Sequence, residues 1–238
     1  MNHVSEQTFL VTGGANGLGF LISQELRNRG HSVIVWDRAA TDHEGDALVS
    51  VDVRDPDEVA LAAESLPSLL HGVVTCAGVA SRESILELTP SEWSHVIDVN
   101  LHGTFHVAQA CFSRLRETRG TLITLGSVAG SLAISNRSAY CASKAAVAML
   151  MRCLALEWGP HGVRAVSLAP GFTDAGMSAQ GIDSGGTDAD SVRQRTPLRE
   201  FVPATQVATL AADILEKRWS AITGTEIVID GGLSTGWP

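Results

Sequence analysis

Short apolar runs alternate with stretches of helical periodicity along most of the chain. Residues 8–12 are an apolar run ending in glycines, which predicts a buried strand. Leu18, Leu21, Ile22 and Leu26 repeat at helical spacing across 17–29, and Gly30 stops that helix. Further strands are expected at 32–36, 47–51, 72–75, 120–125, 164–168 and 225–229. Asp55-Pro56-Asp57-Glu58 and Thr89-Pro90-Ser91-Glu92 both read as helix starts, with a capping side chain, Pro at the first position and Glu at the third. The second should open a long helix through Asn100 to about Leu115. Another helix is expected over 138–158, where Val147, Met151, Leu154 and Trp158 step by three or four, and a last one over 203–217. Residues 176–200 are rich in Gly, Ser and Asp and show no clear period.

Strand and helix in alternation imply a parallel sheet covered on both faces. No linker or internal repeat divides the chain, so the expectation is α/β, a single doubly wound domain over residues 1–238.

Composition narrows the partners. With 17 Lys and Arg against 26 Asp and Glu, the net charge is −9, which argues against a nucleic-acid backbone. The best apolar run is interrupted by Arg152, short of the roughly 18 residues of a membrane span. Residues 1–7 lack a basic start and an apolar core, so no secretory signal is expected. Cys76, Cys111, Cys141 and Cys153 lie far apart in apolar or helical contexts, which suggests reduced thiols in a cytoplasmic protein. Neither they nor the scattered histidines have metal-ligand spacing, so no metal is expected.

The candidate chemistry lies at strand ends. Thr12-Gly13-Gly14-Ala15-Asn16-Gly17-Leu18-Gly19 joins a strand to a helix, where glycines let backbone approach a pyrophosphate and free N–H groups face it. Asp37 ends the second strand, and a carboxylate there suits the ribose hydroxyls of NAD and repels the 2′-phosphate of NADP. Arg38 beside it could serve that phosphate instead. Gly78, Ser127 and Pro170-Gly171 each follow a strand, at the edge where parallel sheets bind ligands. Tyr140 and Lys144 are four apart and share a helix face. An ammonium there would favour the phenolate and bring Tyr140 closer to acid/base work at neutral pH. In isolation the same pair is also what a half-buried Tyr beside a solvent-seeking Lys looks like.

Thr12-Gly13-x-x-x-Gly17-x-Gly19, Asp52-Val53, Ala77-Gly78, Asn100, Gly126-Ser127, Tyr140-x-x-x-Lys144 and Pro170-Gly171 occur together and in order. The chain thereby resembles the short-chain dehydrogenase/reductase family over nearly its whole length. The resemblance implies a seven-stranded Rossmann-type sheet, a nicotinamide cofactor and chemistry at a carbonyl or alcohol carbon. It implies that Tyr140 exchanges the proton and that Lys144 lowers the Tyr140 pKa and holds the nicotinamide ribose. Ser127 would hydrogen-bond the substrate oxygen, and Asn100 would position a water between Lys144 and bulk. Asp52 and Val53 would contact adenine, and Gly13, Asn16, Gly17, Leu18, Gly19, Asp37, Ala77, Gly78, Pro170 and Gly171 would line the rest of the cofactor. A homotetramer built through the long helices 90–115 and 138–158 is also implied.

Two positions depart from the family pattern. Cys76 stands where the family usually has Asn, and Ala175 where it has a Thr that contacts the carboxamide; Thr173 is the nearest replacement. Residues 176–200 are expected to form a mobile lid. Ala129, Leu132, Phe172 and Met177 are expected to make the substrate pocket partly apolar. Arg193, Arg195 and Arg199 could meet an anionic substrate, but Asp183, Asp188, Asp190 and Glu200 offset much of that charge, so the stretch reads as a solvated mixed-charge surface. The expectation is an NAD(H)-dependent oxidoreductase acting on a small secondary alcohol or ketone. A 3-oxoacyl thioester reductase using NADPH and a non-catalytic dinucleotide sensor are the alternatives.

Overall fold

Each apolar run pairs with its neighbours as a parallel strand. The computed structural model describes residues 6–39 and 47–236. Residues 1–5, most of the stretch read above for a secretory signal, lie outside these. The strands are β1 (Thr8–Thr12), β2 (Ser32–Asp37), β3 (Ala47–Ser50), β4 (Gly72–Thr75), β5 (Thr121–Leu125), β6 (Arg164–Pro170) and β7 (Thr225–Ile229). They form one seven-stranded sheet in the order β3-β2-β1-β4-β5-β6-β7, with every pairing parallel. Strand order reverses between β1 and β4, where Thr12 pairs with Thr75. A crevice therefore opens beyond the carboxyl ends of these two strands.

Helices cover both faces. α1 (Gly17–Asn28) and α8 (Ala204–Leu215) bury Ile22, Leu26, Val207 and Ala211 against one face. α2 (Pro56–Glu64), α4 (Gly103–Thr118) and α5 (Ser138–Trp158) bury Val59, Val107, Leu115 and Met151 against the other. Both expected caps are present. Asp55 accepts from the amides of Asp57 and Glu58, and Thr89 forms a reciprocal capping box with Glu92.

Four expectations need correction. The long helix expected over 90–115 is α3 (Pro90–Ile97) and α4, joined by a π-helical turn, Asp98–His102, that contains Asn100. Such turns insert where a side chain is needed in a fixed direction. The strand expected at 164–168 runs on through Pro170, which ends the pairing at Ile229. Residues 176–200 hold two short helices, α6 (Gly176–Asp183) and α7 (Ala189–Arg195), rather than a loop without regular structure. The Asp188 carboxylate caps α7 by accepting from the amides of Asp190 and Ser191. Finally, Ser138–His161 is long and apolar enough to cross a membrane by length and composition alone, despite Arg152. Its inner stripe, from Ala139 through Lys144 and Met151 to Trp158, is buried in the domain.

Candidate active site

The glycine loop leaves β1 and turns back against the start of β4's loop. Gly13 has φ +65, and a Cβ on it would stand 2.6 Å from the Ala77 amide nitrogen. Gly17 has φ +57 and faces Gly176 at the start of α6, whose Cα would lie 3.0 Å from an added Cβ. An added Cβ on Gly19 would meet the Gly13 carbonyl oxygen at 2.2 Å. These contacts are with backbone, so glycine is required at both ends of the turn. Asn16 is the N-cap of α1 and makes no side-chain cap bond, which leaves the first amides of α1 facing the crevice.

Asp37 holds this loop in place. One carboxylate oxygen accepts from the Ala15 amide at 3.0 Å and the other from the Ala39 amide at 3.0 Å. Nearby, Asp52 is gripped by the Arg54 guanidinium, with 3.0 Å from Nε to each oxygen. That bond holds the Asp52 carboxyl at about 2, below the usual carboxylate range. Arg38 lies 3.6 Å from the same carboxylate and is largely exposed.

A cavity of about 540 Å³ runs from this end of the crevice to α5, ample for a small-molecule site. It is lined by Gly13, Asn16, Gly17, Leu18, Asp37, Asp52, Val53, Ala77, Gly78, Ser127, Tyr140, Lys144, Pro170, Gly171 and Thr173. Gly19 and Asn100 stand behind its wall. Gly19 packs under the Gly13 turn. Asn100 has partners other than those expected: its Oδ1 accepts from the Val79 amide at 2.8 Å, and its Nδ2 donates to the Val79 carbonyl at 3.0 Å and the Ser143 hydroxyl at 2.9 Å. Ser143 in turn donates to the Tyr140 carbonyl at 2.7 Å. The Asn100 side chain therefore clamps the loop after β4 to helix α5.

Lys144 is 5% exposed and donates to the Leu125 carbonyl at 2.5 Å. Burial lowers its pKa from 10.5 to about 8. Its ammonium lies 5.6 Å from the Tyr140 ring centroid. The electrostatics of Tyr140 differ from the expectation. Burial dominates and pushes the phenol above its ordinary value; a hydrogen bond from Ser127 and the nearby Arg137 guanidinium pull the other way. Lys144 is not among the groups that lower it. Ser127 also accepts from the Ala129 amide at 3.1 Å, which fixes its hydroxyl at the end of β5.

The two departures have local consequences. Cys76 is a cavity-wall thiol that burial raises to about 11, so it stays protonated. Thr173 donates its hydroxyl to the Ala175 carbonyl at 2.9 Å, so that proton is committed to the turn before α6. Phe172 and Met177 line the cavity as expected, but Ala129 and Leu132 do not; Val128 and Ile134 take their place. Arg137 also lines the cavity and was not singled out from sequence. An arginine just ahead of a helix reads as surface.

A hydroxyl donor, a phenol and a buried ammonium converge on one wall, across from a glycine cradle that admits a pyrophosphate. This is the layout of a nicotinamide-dependent oxidoreductase. A family model described as enoyl-(acyl carrier protein) reductase matches residues 13–234, and the chain belongs to the short-chain dehydrogenase/reductase family. It is 34% identical over 240 residues to the 3-oxoacyl-[acyl-carrier-protein] reductase MabA of Mycobacterium tuberculosis, covering 97% of this chain and 94% of that one. It is 29% identical over 238 residues to D-threitol dehydrogenase of Mycolicibacterium smegmatis, covering 94% and 91%. Among solved structures, ligand-free aldohexose dehydrogenase of Thermoplasma acidophilum superposes with a TM-score of 0.91 at 26% identity, covering 98% and 96%.

Buried Lys144 implies a pH signature. Its folded pKa is below its unfolded value, so ionised Lys144 costs stability below about pH 8. The cost is relieved as pH rises towards 10.5, because there the unfolded chain binds the extra proton. Tyr140 is raised, and its opposing effect begins only above the ordinary tyrosine value near 10. Lys144→Met should therefore be more stable than wild type at pH 7, by up to about 3 kcal/mol. The gap should narrow between pH 8 and 10 in urea melts. A constant gap across that range would show that Lys144 is not desolvated.

Proposed function

We propose that the protein is an NAD(H)-dependent oxidoreductase that interconverts a secondary alcohol and a ketone, with Tyr140 as the acid/base. The observation that carries this reading is the joint presence of Tyr140, Ser127 and Lys144 on the cavity wall opposite the glycine cradle. The glycine contacts and the open α1 amides fit a dinucleotide pyrophosphate, and the carboxylate of Asp37 fits an unphosphorylated ribose. NAD, when bound, supplies the hydride acceptor.

The protein's own part is proton handling and orientation. Ser127 donates a hydrogen bond to the substrate oxygen, stabilising charge that grows on it during transfer. The Tyr140 hydroxyl takes the alcohol proton in oxidation and returns it in reduction. The buried Lys144 ammonium holds the nicotinamide ribose, while Ser127 and Arg137 are the groups that favour the phenolate. Asn100 acts as a positioning residue, by fixing Val79 and Ser143 on either side of the reacting centre.

A second reading, a 3-oxoacyl thioester reductase, is favoured by the name of the MabA relative and by exposed Arg38 beside Asp52. An arginine there could receive a 2′-phosphate. The polyol and sugar names of the other two relatives support the alcohol dehydrogenase reading instead. The exposed apolar residues Phe105 on α4 and Met149 and Leu156 on α5 suit a homotetramer assembled through these helices. The free thiols of all four cysteines suit a cytoplasmic setting.

Three measurements test these readings. Tyr140→Phe should lower kcat by about 10²- to 10⁴-fold while NADH fluorescence still reports binding; undiminished turnover would remove Tyr140 from the mechanism, and a protein with no turnover on any alcohol or ketone would fit the sensor alternative. Asp37→Asn keeps an acceptor for the Ala15 amide, gives up the one for Ala39 and loses the charge, so the ratio of kcat/KM for NAD over NADP should fall about tenfold. An unchanged ratio would show that the carboxylate does not read the ribose. Light scattering in solution should give a mass of four chains, and a monomer would refute the assembly.

A further inference from the structure

The cavity is electrically asymmetric. Its two carboxylates, Asp37 and Asp52, belong to the glycine-loop end, where exposed Arg38 also lines the wall beside Asp52. Towards Tyr140 the half-buried Arg137 lines the wall, in a cavity to which Ser135, Gln180 and Thr187 also contribute. Among the described residues no carboxylate pairs with Arg137. The groups that act on it electrostatically are Arg82, Tyr140 and Cys141, that is, a second cation and two neutral groups. Among the described residues, Arg82 is held by a neutral oxygen, donating to the Ser184 hydroxyl at 3.2 Å. Its guanidinium lies against Gly181 and Gly186, where added Cβ atoms would stand 2.4 and 2.2 Å from it. Gly186 lines the cavity, so Arg82 backs the lid on the substrate side.

Two arginines close enough to repel, partly desolvated and without a counter-ion, form an arrangement that costs free energy until an anion arrives. Burial lowers the Arg137 pKa and Arg82 adds to the effect, while Tyr140 and Cys141 oppose it. The chain as a whole has a net charge of −9, which repels anions at long range. Arg193, by contrast, is used elsewhere: it stacks on Phe201 and pairs with Asp190.

We propose that Arg137 is a specificity residue for an oxyanion on the substrate, so that the alcohol or ketone served by Tyr140 carries a carboxylate or phosphate. Arg137 precedes Tyr140 by three residues at the start of α5, so both side chains reach the same part of the cavity. The anionic group lies within a few bonds of the reacting carbon. A planar guanidinium grips either oxyanion with two parallel hydrogen bonds, and Arg82 reinforces the field from behind the lid.

This inference rests on the reading of Tyr140 as the acid/base, and the experiment separates the two. Turnover would be followed by NADH absorbance for short hydroxy acids against their primary amides, and for hydroxyalkyl phosphates against the parent diols. Wild type should favour one anionic class over its neutral partner by at least about tenfold in kcat/KM, and which class wins tells carboxylate from phosphate. Arg137→Gln should collapse that ratio through KM, and Arg137→Lys should restore part of it. A structural role for Arg137 would lower both members of each pair alike and leave the ratio unchanged, which would overturn the proposal, as would a wild type without preference. A binding arm needs no turnover: malonate or inorganic phosphate should raise the Tm of wild type in the presence of NAD, and not that of Arg137→Gln. Equal stabilisation of both proteins would also overturn the proposal. Anion binding that depends on Arg137 without turnover of any compound would uphold the anion site and count against the dehydrogenase reading. Turnover of neutral alcohols without preference would do the reverse.

Discussion

A cation buried at Lys144 is the constraint on which the site depends. The ammonium is almost fully removed from water and has one protein acceptor, the Leu125 carbonyl at the end of β5. A charge so placed is tolerated only if its surroundings are held rigidly. The surroundings meet that need from three elements. Helix α5 supplies the lysine, β5 the carbonyl, and the loop after β4 the small residue Gly78, whose added Cβ would stand 3.8 Å from the ammonium. Asn100 then ties two of these together through Val79 and Ser143. The π-helical turn that carries Asn100 is thus part of the same device.

The sheet makes this arrangement possible. Strand order reverses between β1 and β4, and the Thr12 hydroxyl accepts from the amides of Cys76 and Ala77 across that gap. The close passage of Gly13 past Ala77 seals the floor of the crevice. Asp37 then fixes the loop from the far side through the Ala15 amide. The carboxylate has two tasks at once, one structural and one electrostatic, which is why the amide substitution separates them better than alanine would.

Much of this was legible in the chain. The strands declared themselves because runs such as Phe9-Leu10-Val11 and Val73-Val74 are fully buried on both faces, and each ends at glycine or a small residue. The glycine turn, Tyr140 and Lys144 were legible because their spacing maps directly onto a strand–turn–helix and one helix face. What escaped notice was tertiary. The break in the helix at Asn100 answers to Val79, which is 21 residues away. Helices α6 and α7 have no apolar period, and what places α6 is the approach of Gly176 to Gly17 and the seat of Arg82 against Gly181 and Gly186. The phenol's electrostatics were misjudged because spacing reports a nearby lysine and does not report burial.

The cavity combines these local choices into a gradient. Carboxylates stand at one end, with Asp52 neutralised by Arg54 and Asp37 satisfied by backbone amides. Lys144 and Arg137 stand at the other, where, among the described residues, Lys144 donates to a carbonyl and Arg137 has no carboxylate. The same burial that pushes the Tyr140 phenol up gives the neighbouring guanidinium its leverage, since charges interact more strongly out of water. An anion brought to Arg137 would partly cancel that cation and so let the phenol hold its proton more firmly. Substrate charge and the acidity of the phenol are then coupled through a single arginine.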